Sequence, residues 1–160
     1  MTTILADSRC RVMVSDSLMI NGSVRARTPK IERIKNCLVA TAGTVGVAQA
    51  WLDAYISGDF SGFVGNGNDF EAIVMTADGE IFHYEGANGS LITDQVFAIG
   101  SGAPHALSAM CAMERIGYEP SAVLAVEVAI EIDPGSGGPI QVFRLDDKPM
   151  KQTRKPRRNR

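Results

Sequence analysis

Short stretches in which apolar and polar residues alternate recur along the chain, and this period of two is typical of half-buried β-strands. The alternation predicts three hairpins and two further strands. The third hairpin is the clearest, because Asp78-Gly79 favours the turn geometry that matches the twist of the strands. The predicted strands cover residues 2–7 and 10–16, 30–35 and 37–42, 70–76 and 80–85, 95–99, and 138–144.

Three other segments repeat their apolar residues at helical spacing. The first is expected to end at Gly58 and the second at Gly117, because glycine commonly follows the last turn of a helix. Pro104 suits the first turn of the second helix, where its missing N–H is not needed. The predicted helices cover residues 45–57, residues 104–116 and a segment that begins at Pro120.

The order of the elements is strands, helix, strands, two helices and a strand. Because short hairpins join antiparallel strands, this order indicates antiparallel sheets rather than alternating βαβ units. Two such sheets, packed face to face with helices outside, give an α+β fold, the four-layer αββα sandwich. We place it in one domain over residues 1–147, with looser stretches at 17–29 and 61–69.

Composition limits the class of protein further. The chain has 160 residues, of which 45% are hydrophobic and 21% charged, as in an ordinary globular domain. No apolar run approaches the ~20 residues that cross a bilayer. The N-terminus also lacks the basic start and the apolar stretch of a secretory signal. We therefore expect a cytoplasmic protein with no membrane partner.

Charge is unevenly distributed along the chain, although the net charge is only −2. Residues 148–160 hold seven of the sixteen basic residues and no acidic residue, which leaves residues 1–147 acidic. A basic segment with almost no apolar content is expected to be disordered. Its role stays open between solubility and docking onto an acidic partner or nucleic acid, although we do not expect nucleic acid as the main partner.

Cysteine and histidine give no sign of a disulfide or a zinc site. Cys10, Cys37 and Cys111 are odd in number and lack a Cys-x-x-Cys spacing, so we expect reduced and mostly buried thiols. His83 falls in a predicted strand and His105 at a helix start. Because no cluster has zinc-ligand spacing, we expect both histidines to be packing or surface residues.

Candidate chemistry begins at Thr2, directly behind Met1. Removal of Met1 would leave Thr2 with a hydroxyl nucleophile and a free α-amine at one position. An α-amine has a reference pKa near ~7.7–8.0, far closer to neutrality than the ~10.4 of lysine, and can accept the hydroxyl proton. Many chains begin in the same way without catalysis, so the other candidate residues decide the case.

Those candidates stand at the ends of predicted elements. A charged Lys30 beside Asp16 would lower the pKa of the amine and stabilise developing negative charge. Each residue also has an ordinary explanation: Asp16 can cap a turn, Lys30 can be a surface lysine, and Ser101 can cap a helix. The remaining candidates are Gly43, Asp133 and Ser136.

Taken in order, these segments resemble the proteasome-type N-terminal nucleophile hydrolases, most closely the bacterial HslV peptidase and its shorter relatives. The likeness covers residues 2–144. The spacing from Thr2 to Asp16 is shorter than in that family, and the first hairpin must absorb the difference. The matching segments are Thr2-Thr3-Ile4, the strand ending at Asp16, Lys30 with Ile31 and Arg33, Ala42-Gly43, Ala98-Ile99-Gly100-Ser101-Gly102, and Asp133-x-x-Ser136-Gly137.

The resemblance implies a threonine endopeptidase in which Thr2 attacks peptide carbonyls with its own α-amine as general base. Asp16 and Lys30 match the supporting acid and lysine, and Gly43 matches the backbone donor to the oxyanion. Ser101, Asp133 and Ser136 match the groups that surround the threonine amine. The backbone carbonyls implied to hold a structural sodium ion are those of Ile130, Asp133 and Ser136. The chemistry itself requires no cofactor.

The same resemblance implies partners. Identical subunits would form a double ring around a chamber that receives unfolded polypeptides. A separate AAA+ unfoldase ATPase would feed the ring, since the chain has no GxxxxGK[ST] motif of its own. Two alternatives stay open: an amidohydrolase of the same fold that acts on a small amide, and a catalytically silent ring or scaffold protein.

Overall fold

A computed structural model describes residues 2–147, and these residues form the α+β sandwich that the sequence predicts. The basic segment 148–160 lies outside the described residues, and the domain boundary at residue 147 stays a prediction. The strands are β1 (Ile4–Asp7), β2 (Val12–Ser15), β3 (Leu18–Asn21), β4 (Val24–Arg27), β5 (Ile31–Ile34), β6 (Cys37–Gly43), β7 (Phe70–Met75), β8 (Ile81–Tyr84), β9 (Gly89–Ile92), β10 (Val96–Ile99) and β11 (Gln141–Arg144). The helices are α1 (Val45–Ser57), α2 (Ala103–Arg115) and α3 (Ala122–Ile132).

Two antiparallel sheets make the inner layers of the sandwich. The first has the strand order β10-β1-β2-β11, and the second has the order β5-β6-β7-β8-β9. Helices α2 and α3 pack together and cover the outer face of the first sheet, while α1 covers the outer face of the second. The strands β3 and β4 form a separate two-stranded ribbon. The layers therefore follow the predicted order of helices, sheet, sheet and helix.

Alternation along the strands divides the core into three parts, because successive side chains of a strand point to opposite faces. In β1, Ile4 and Ala6 face the other sheet, whereas Leu5 faces α2 and α3. In β7, Ile73 lies between the sheets and Val74 lies under α1. β1 and β7 are therefore buried on both faces, more deeply than the half-buried strands that alternation predicts.

The three predicted hairpins are present, with shifts of a few residues at their ends. The first hairpin pairs Ile4 with Ser15, and its turn covers residues 8–11 rather than Ser8-Arg9 alone. Three strands were not predicted: β3 and β4 in the stretch that was expected to be looser, and β9. All three are short, β3 is mostly half-buried, and β4 and β9 are largely exposed, so they lack the fully buried side chains on which a sequence-based prediction depends.

The helices end where the local sequence requires. Gly58 closes α1 in the left-handed conformation, with φ of 76°, and Ser121 accepts a hydrogen bond from the Leu124 amide at the start of α3. The longest helices within residues 2–147 have 13 residues, and none of the described helices is long and apolar enough to cross a membrane.

The expectation of mostly buried thiols was wrong. Cys10 and Cys111 are exposed and Cys37 is half-buried, although all three are free. Cys10 falls in the β1–β2 turn because that turn is longer than predicted. Cys111 lies on the outer side of α2, whose neighbouring residues Met110 and Met113 take the positions that face the sheet.

Candidate active site

Thr2 lies buried at the end of the first sheet, just before β1, with 4% of its surface exposed. The turn between β10 and α2 holds it there. Gly100 in this turn has φ of +88°, and a Cβ at that position would lie 2.3 Å from the Thr2 carbonyl oxygen. The Gly102 amide donates a hydrogen bond to the same oxygen at 3.1 Å. The glycines of Gly100-Ser101-Gly102 therefore allow the turn to lie directly against the Thr2 backbone.

Lys30 connects the Thr2 hydroxyl to Asp16. The Lys30 ammonium nitrogen lies 2.5 Å from Thr2 Oγ1 and 2.7 Å from Asp16 Oδ1. The side chains of Lys30 and Asp16 are 5% and 0% exposed, so this ion pair is buried. The ordinary explanation of Lys30 as a surface residue is therefore wrong. Asp16 does cap the turn that follows it, through the Leu18 amide, and it pairs with Lys30 as well.

The Asp16 carboxylate is held on all sides by donors. Its Oδ1 accepts hydrogen bonds from Lys30 and from the Thr3 amide at 2.9 Å. Its Oδ2 accepts from the amides of Leu18 and Gly137, each at 3.0 Å. The carboxylate has no freedom to rotate away from Lys30, so the position of the ammonium beside Thr2 is set by backbone groups of three separate segments.

Burial lowers the pKa of Lys30, even though its hydrogen bond and charge interaction with Asp16 act in the opposite direction. The sequence-based expectation was that Asp16 would keep Lys30 charged and make it a poor base. Desolvation of the buried ammonium is the largest of these opposing effects. The ion pair with Asp16 is present as expected, and the part that Lys30 plays in proton transfer stays a prediction.

A second network surrounds the Thr2 nitrogen, which is a peptide nitrogen while Met1 is attached. That nitrogen donates to Ser101 Oγ at 3.2 Å, and Ser101 and Ser136 each donate to Asp133 Oδ2 at 2.7 Å. Because the single Ser136 proton is committed to Asp133, Thr3 Oγ1 is the donor in its 2.6 Å contact with Ser136.

The charge of the Asp133 carboxylate is favoured by this network. Burial alone would raise its pKa, but hydrogen bonds from Ser101 and Ser136 and from the Gly135 amide outweigh burial and lower the pKa below the usual 3.8. The structure therefore brings Ser101, Asp133 and Ser136 together in one network, of which Ser101 contacts the Thr2 nitrogen.

Gly43 lies at the end of β6 and borders, with Thr2, two clefts on either side of the threonine. Its φ is +107°, and a Cβ there would lie 2.5 Å from the Asp69 carbonyl oxygen. The absence of a side chain therefore allows residues 69 and 70 to pack against Gly43.

Three contributing residues were missed by sequence reasoning. Gln141 accepts from the Lys30 amide at 3.0 Å and donates to the Thr28 carbonyl at 3.1 Å, which anchors the segment that carries Lys30. Glu71 accepts from the Gly100 amide at 3.2 Å, and Thr3 joins the Ser136 network. Only the Thr2-Thr3 pair gave a signal in the sequence; Gln141 and Glu71 each read as an ordinary strand residue.

The carbonyls predicted to hold sodium occupy the end of α3 and the turn behind it. The Asp133 carbonyl accepts a hydrogen bond from the Ser136 amide at 3.0 Å, which leaves it one lone pair for a cation. The Ile130 carbonyl falls in the last turn of α3, where carbonyls lack partners within the helix. Oxygen donors of this kind fit sodium, and the site stays a prediction.

Comparison with solved structures identifies the architecture. BPH of Thiobacillus denitrificans, in complex with epoxomicin, is 21% identical with a TM-score of 0.67, over 89% of this chain and 97% of that one. HslV of Trypanosoma brucei is 22% identical with a TM-score of 0.68, over 89% of this chain and 98% of that one. The chain has the HslV fold. BPH without epoxomicin is similar to it to the same degree, with a TM-score of 0.68 at 20% identity, over 89% and 96% of the two chains.

The HslV fold confirms the architecture predicted from the sequence, the four-layer αββα sandwich. No family model matches the sequence, and no curated protein matches it either. Identities of 20–22% establish the fold and not the reaction. The case for a reaction therefore depends on the side chains around Thr2.

Proposed function

We propose that the chain is an N-terminal threonine endopeptidase, the subunit of a proteasome-like ring. The observation that carries the proposal is the buried line from Asp16 through Lys30 to the Thr2 hydroxyl, with contacts of 2.7 and 2.5 Å. A buried ion pair costs desolvation energy, and a hydrophobic pair in its place would often be as stable. An ion pair that ends on a hydroxyl at the floor of two clefts is therefore better explained by catalysis than by stability.

The reaction begins when Met1 is removed and the Thr2 nitrogen becomes an α-amine. The Thr2 oxygen attacks the carbonyl carbon of a peptide bond as its proton passes to a base. The Gly43 amide stabilises the resulting oxyanion. Collapse breaks the C–N bond, the leaving amine takes up the proton, and an ester remains on Thr2. Water then cleaves the ester, which releases the carboxylic acid product and restores the hydroxyl.

Two groups are candidates for the base. The α-amine has the more suitable reference pKa, near ~7.7–8.0, and is held by Ser101 within the Asp133 network. Lys30 is in direct contact with the hydroxyl, and burial lowers its pKa. We assign the first transfer to the α-amine, with Lys30 stabilising the alkoxide. A Lys30→Arg variant separates the roles, because arginine keeps the charge but cannot accept a proton.

The clefts on either side of Thr2 give an extended chain room to cross the nucleophile. The larger share of apolar lining lies on the α1 side, where Leu18, Ile20 and Leu52 contribute. A peptidase with such an open site acts on any unfolded chain, so it needs to be enclosed. We propose a double ring of identical subunits with the clefts facing an inner chamber, and an AAA+ unfoldase as the partner that supplies unfolded polypeptide.

The decisive experiment combines intact mass with activity. The purified chain should lack Met1, gain the mass of one epoxomicin molecule, and hydrolyse unfolded casein and short peptides. Thr2→Ala should lose the adduct and at least ~10³-fold in activity, as for other catalytic nucleophiles. Thr2→Ser, which keeps a hydroxyl, should retain measurable activity, and both variants should melt close to the parent chain.

Other outcomes separate the alternatives. Full proteolytic activity with Met1 still attached, or in Thr2→Ala, would overturn the mechanism. A processed chain that binds epoxomicin but cleaves neither casein nor peptides would favour the small-amide hydrolase. A chain that keeps Met1 and shows no adduct would favour the silent ring or scaffold protein. The sodium ion at Ile130, Asp133 and Ser136 is proposed as structural, and its removal should lower the melting temperature rather than abolish the chemistry.

A further inference from the structure

Glu71, His83 and Glu85 form a second polar cluster, which lies beside the Thr2 site but takes no part in the proposed reaction. One carboxylate oxygen of each glutamate and one ring nitrogen of the histidine all lie within 4.8 Å of one another. Glu71 is on β7 and His83 on β8, and both side chains are partly buried, while Glu85 is exposed just beyond β8. The cluster thus combines two partly buried side chains with one exposed side chain.

The His83 ring nitrogen Nε2 is buried and has no hydrogen-bond partner among residues 2–147. Glu71 Oε1 lies 3.4 Å away, which is within ion-pair range but lacks the geometry of a hydrogen bond. The ring also packs against Phe97, with the two ring centres 5.0 Å apart. Buried polar atoms in native proteins nearly always have a partner, so an orphaned imidazole nitrogen that faces two carboxylates indicates a missing ligand.

The two carboxylates lack a compensating cation. The pairing of Ala72 with Tyr84 in the β7–β8 ladder brings Glu71 and Glu85 to neighbouring positions, and like charges across a ladder repel. Within residues 2–147, neither glutamate forms a salt bridge with lysine or arginine.

We propose that Glu71, His83 and Glu85 bind a divalent transition-metal ion of the zinc type. Zinc accepts imidazole nitrogen and carboxylate oxygen at about 2.0–2.2 Å, so two ligands at tetrahedral positions stand about 3.4 Å apart. The measured separation of Nε2 and Glu71 Oε1 has that value. Glu85 is exposed and can rotate to provide the third ligand, and water would fill the fourth position.

The proposed site has a direct structural connection to Thr2. Glu71 Oε2 accepts the hydrogen bond from Gly100, whose turn carries Ser101 against the Thr2 nitrogen. The Glu85 carboxylate lies against Gly67, in the loop that lines the cleft on the other side of Thr2. A metal ion bound through Glu71 and Glu85 would therefore fix both the turn and the loop, and we assign it a positioning role.

The test is a calorimetric titration of Zn²⁺ alone into the untagged Thr2→Ala chain, so that the result is independent of peptidase activity. We expect one equivalent to bind at this site. His83→Gln and Glu85→Gln should each weaken that binding at least ~10-fold. His105→Gln, which changes the only other histidine, should bind as the parent does. Co²⁺ in place of Zn²⁺ should give the visible spectrum of a nitrogen–oxygen site.

Two controls separate loss of this site from zinc binding elsewhere and from misfolding. All variants retain the same three cysteines, so zinc held by thiols would persist in every chain and cannot imitate the loss. Glu85 is exposed, so Glu85→Gln tests the site even if the His83 variant folds poorly. The proposal is overturned if no saturable binding is found, if His83→Gln and Glu85→Gln bind as the parent does, or if His105→Gln loses binding equally.

Discussion

The two polar clusters beside Thr2 are built in opposite ways. Around Thr2 itself, the Asp16 carboxylate has four donors and the Asp133 carboxylate three, so the network is satisfied by the protein alone. In the cluster of Glu71 and His83, a buried ring nitrogen has no partner within the described chain. A fully satisfied buried network holds its side chains rigidly, whereas a buried polar atom without a partner carries an energetic cost. Mutations should therefore have opposite effects in the two clusters.

The largest effect is expected at Lys30. Lys30→Met leaves the buried Asp16 carboxylate without its cation, and we expect a loss of about 3–5 kcal/mol in the free energy of unfolding together with loss of activity. Urea denaturation measures the first quantity. The double variant Asp16→Asn/Lys30→Met should be less destabilised than the sum of the two single changes, since it leaves no unpaired charge. Additive costs would mean that the two side chains do not interact.

Gly43, where the two clefts meet, should give the next largest effect. Gly43→Ala places a Cβ against the Asp69 carbonyl at a positive φ, and we expect a loss of at least about 2 kcal/mol in unfolding free energy. Gly46→Ala in α1 is the matched control, because nothing lies within 4 Å of its added Cβ. That variant should be neutral or stabilised by up to about 1 kcal/mol. Equal stability of the two variants would contradict the prediction, because it would mean that residues 69–70 move away from the added Cβ at little energetic cost.

Asp133 should make the stability of the Thr2 network depend on pH. Its folded pKa lies below 3.8, so its contribution is complete above pH 3.8 and is lost as the pH falls through the folded value. We expect Asp133→Asn to cost about 2 kcal/mol near neutral pH. The difference from the parent should shrink below pH 3.8 in urea titrations. The exposed Asp94→Asn should show neither effect, and a difference that is constant down to acid pH would contradict the assignment.

The smallest changes in stability are expected from one variant in each cluster, compared in a metal-free buffer. Ser136→Ala removes a partner from both Thr3 and Asp133 and should cost about 1–2 kcal/mol. His83→Leu removes a nitrogen that has no hydrogen bond to lose, and we expect a change within about 0.5 kcal/mol or a gain. Thermal melting in the presence of a chelator measures both. A larger loss from His83→Leu than from Ser136→Ala would reverse the distinction between the clusters.

The layered fold could be predicted from the sequence because strands such as β1, β2, β6 and β7 are buried on at least one face and carry the signal in their own side chains. The strands β3, β4 and β9 have no fully buried residue and could not be predicted, since they are defined by backbone pairing that apolar spacing does not record. The position of a turn is also hard to fix from apolar spacing, and this explains the error at Cys10. The second strand was predicted to begin at residue 10 but begins at Val12, so Cys10 lies in the exposed turn.

The candidate site divides in the same manner. Residues of a distinctive type at the end of an element could be selected from the sequence, although their catalytic roles remain proposals. They are Thr2, Asp16, Lys30, Ser101, Asp133 and Ser136. Gln141 and Glu71 could not be selected, because their roles depend on contacts across more than one hundred positions in the first case and across two sheets in the second. The lowered pKa of Lys30 could not be predicted from the sequence either, since it depends on how completely the folded protein excludes water from the ammonium group.

Periodicity along the chain was enough to predict the order of the elements, and with it the sandwich and the position of Thr2 before the first strand. The contacts between distant polar groups, the depth of their burial and the atoms left without a partner became known from the three-dimensional arrangement alone. This division arises because hydrophobic periodicity is a local property of the chain. Hydrogen-bond satisfaction and desolvation depend instead on the whole set of neighbours in space.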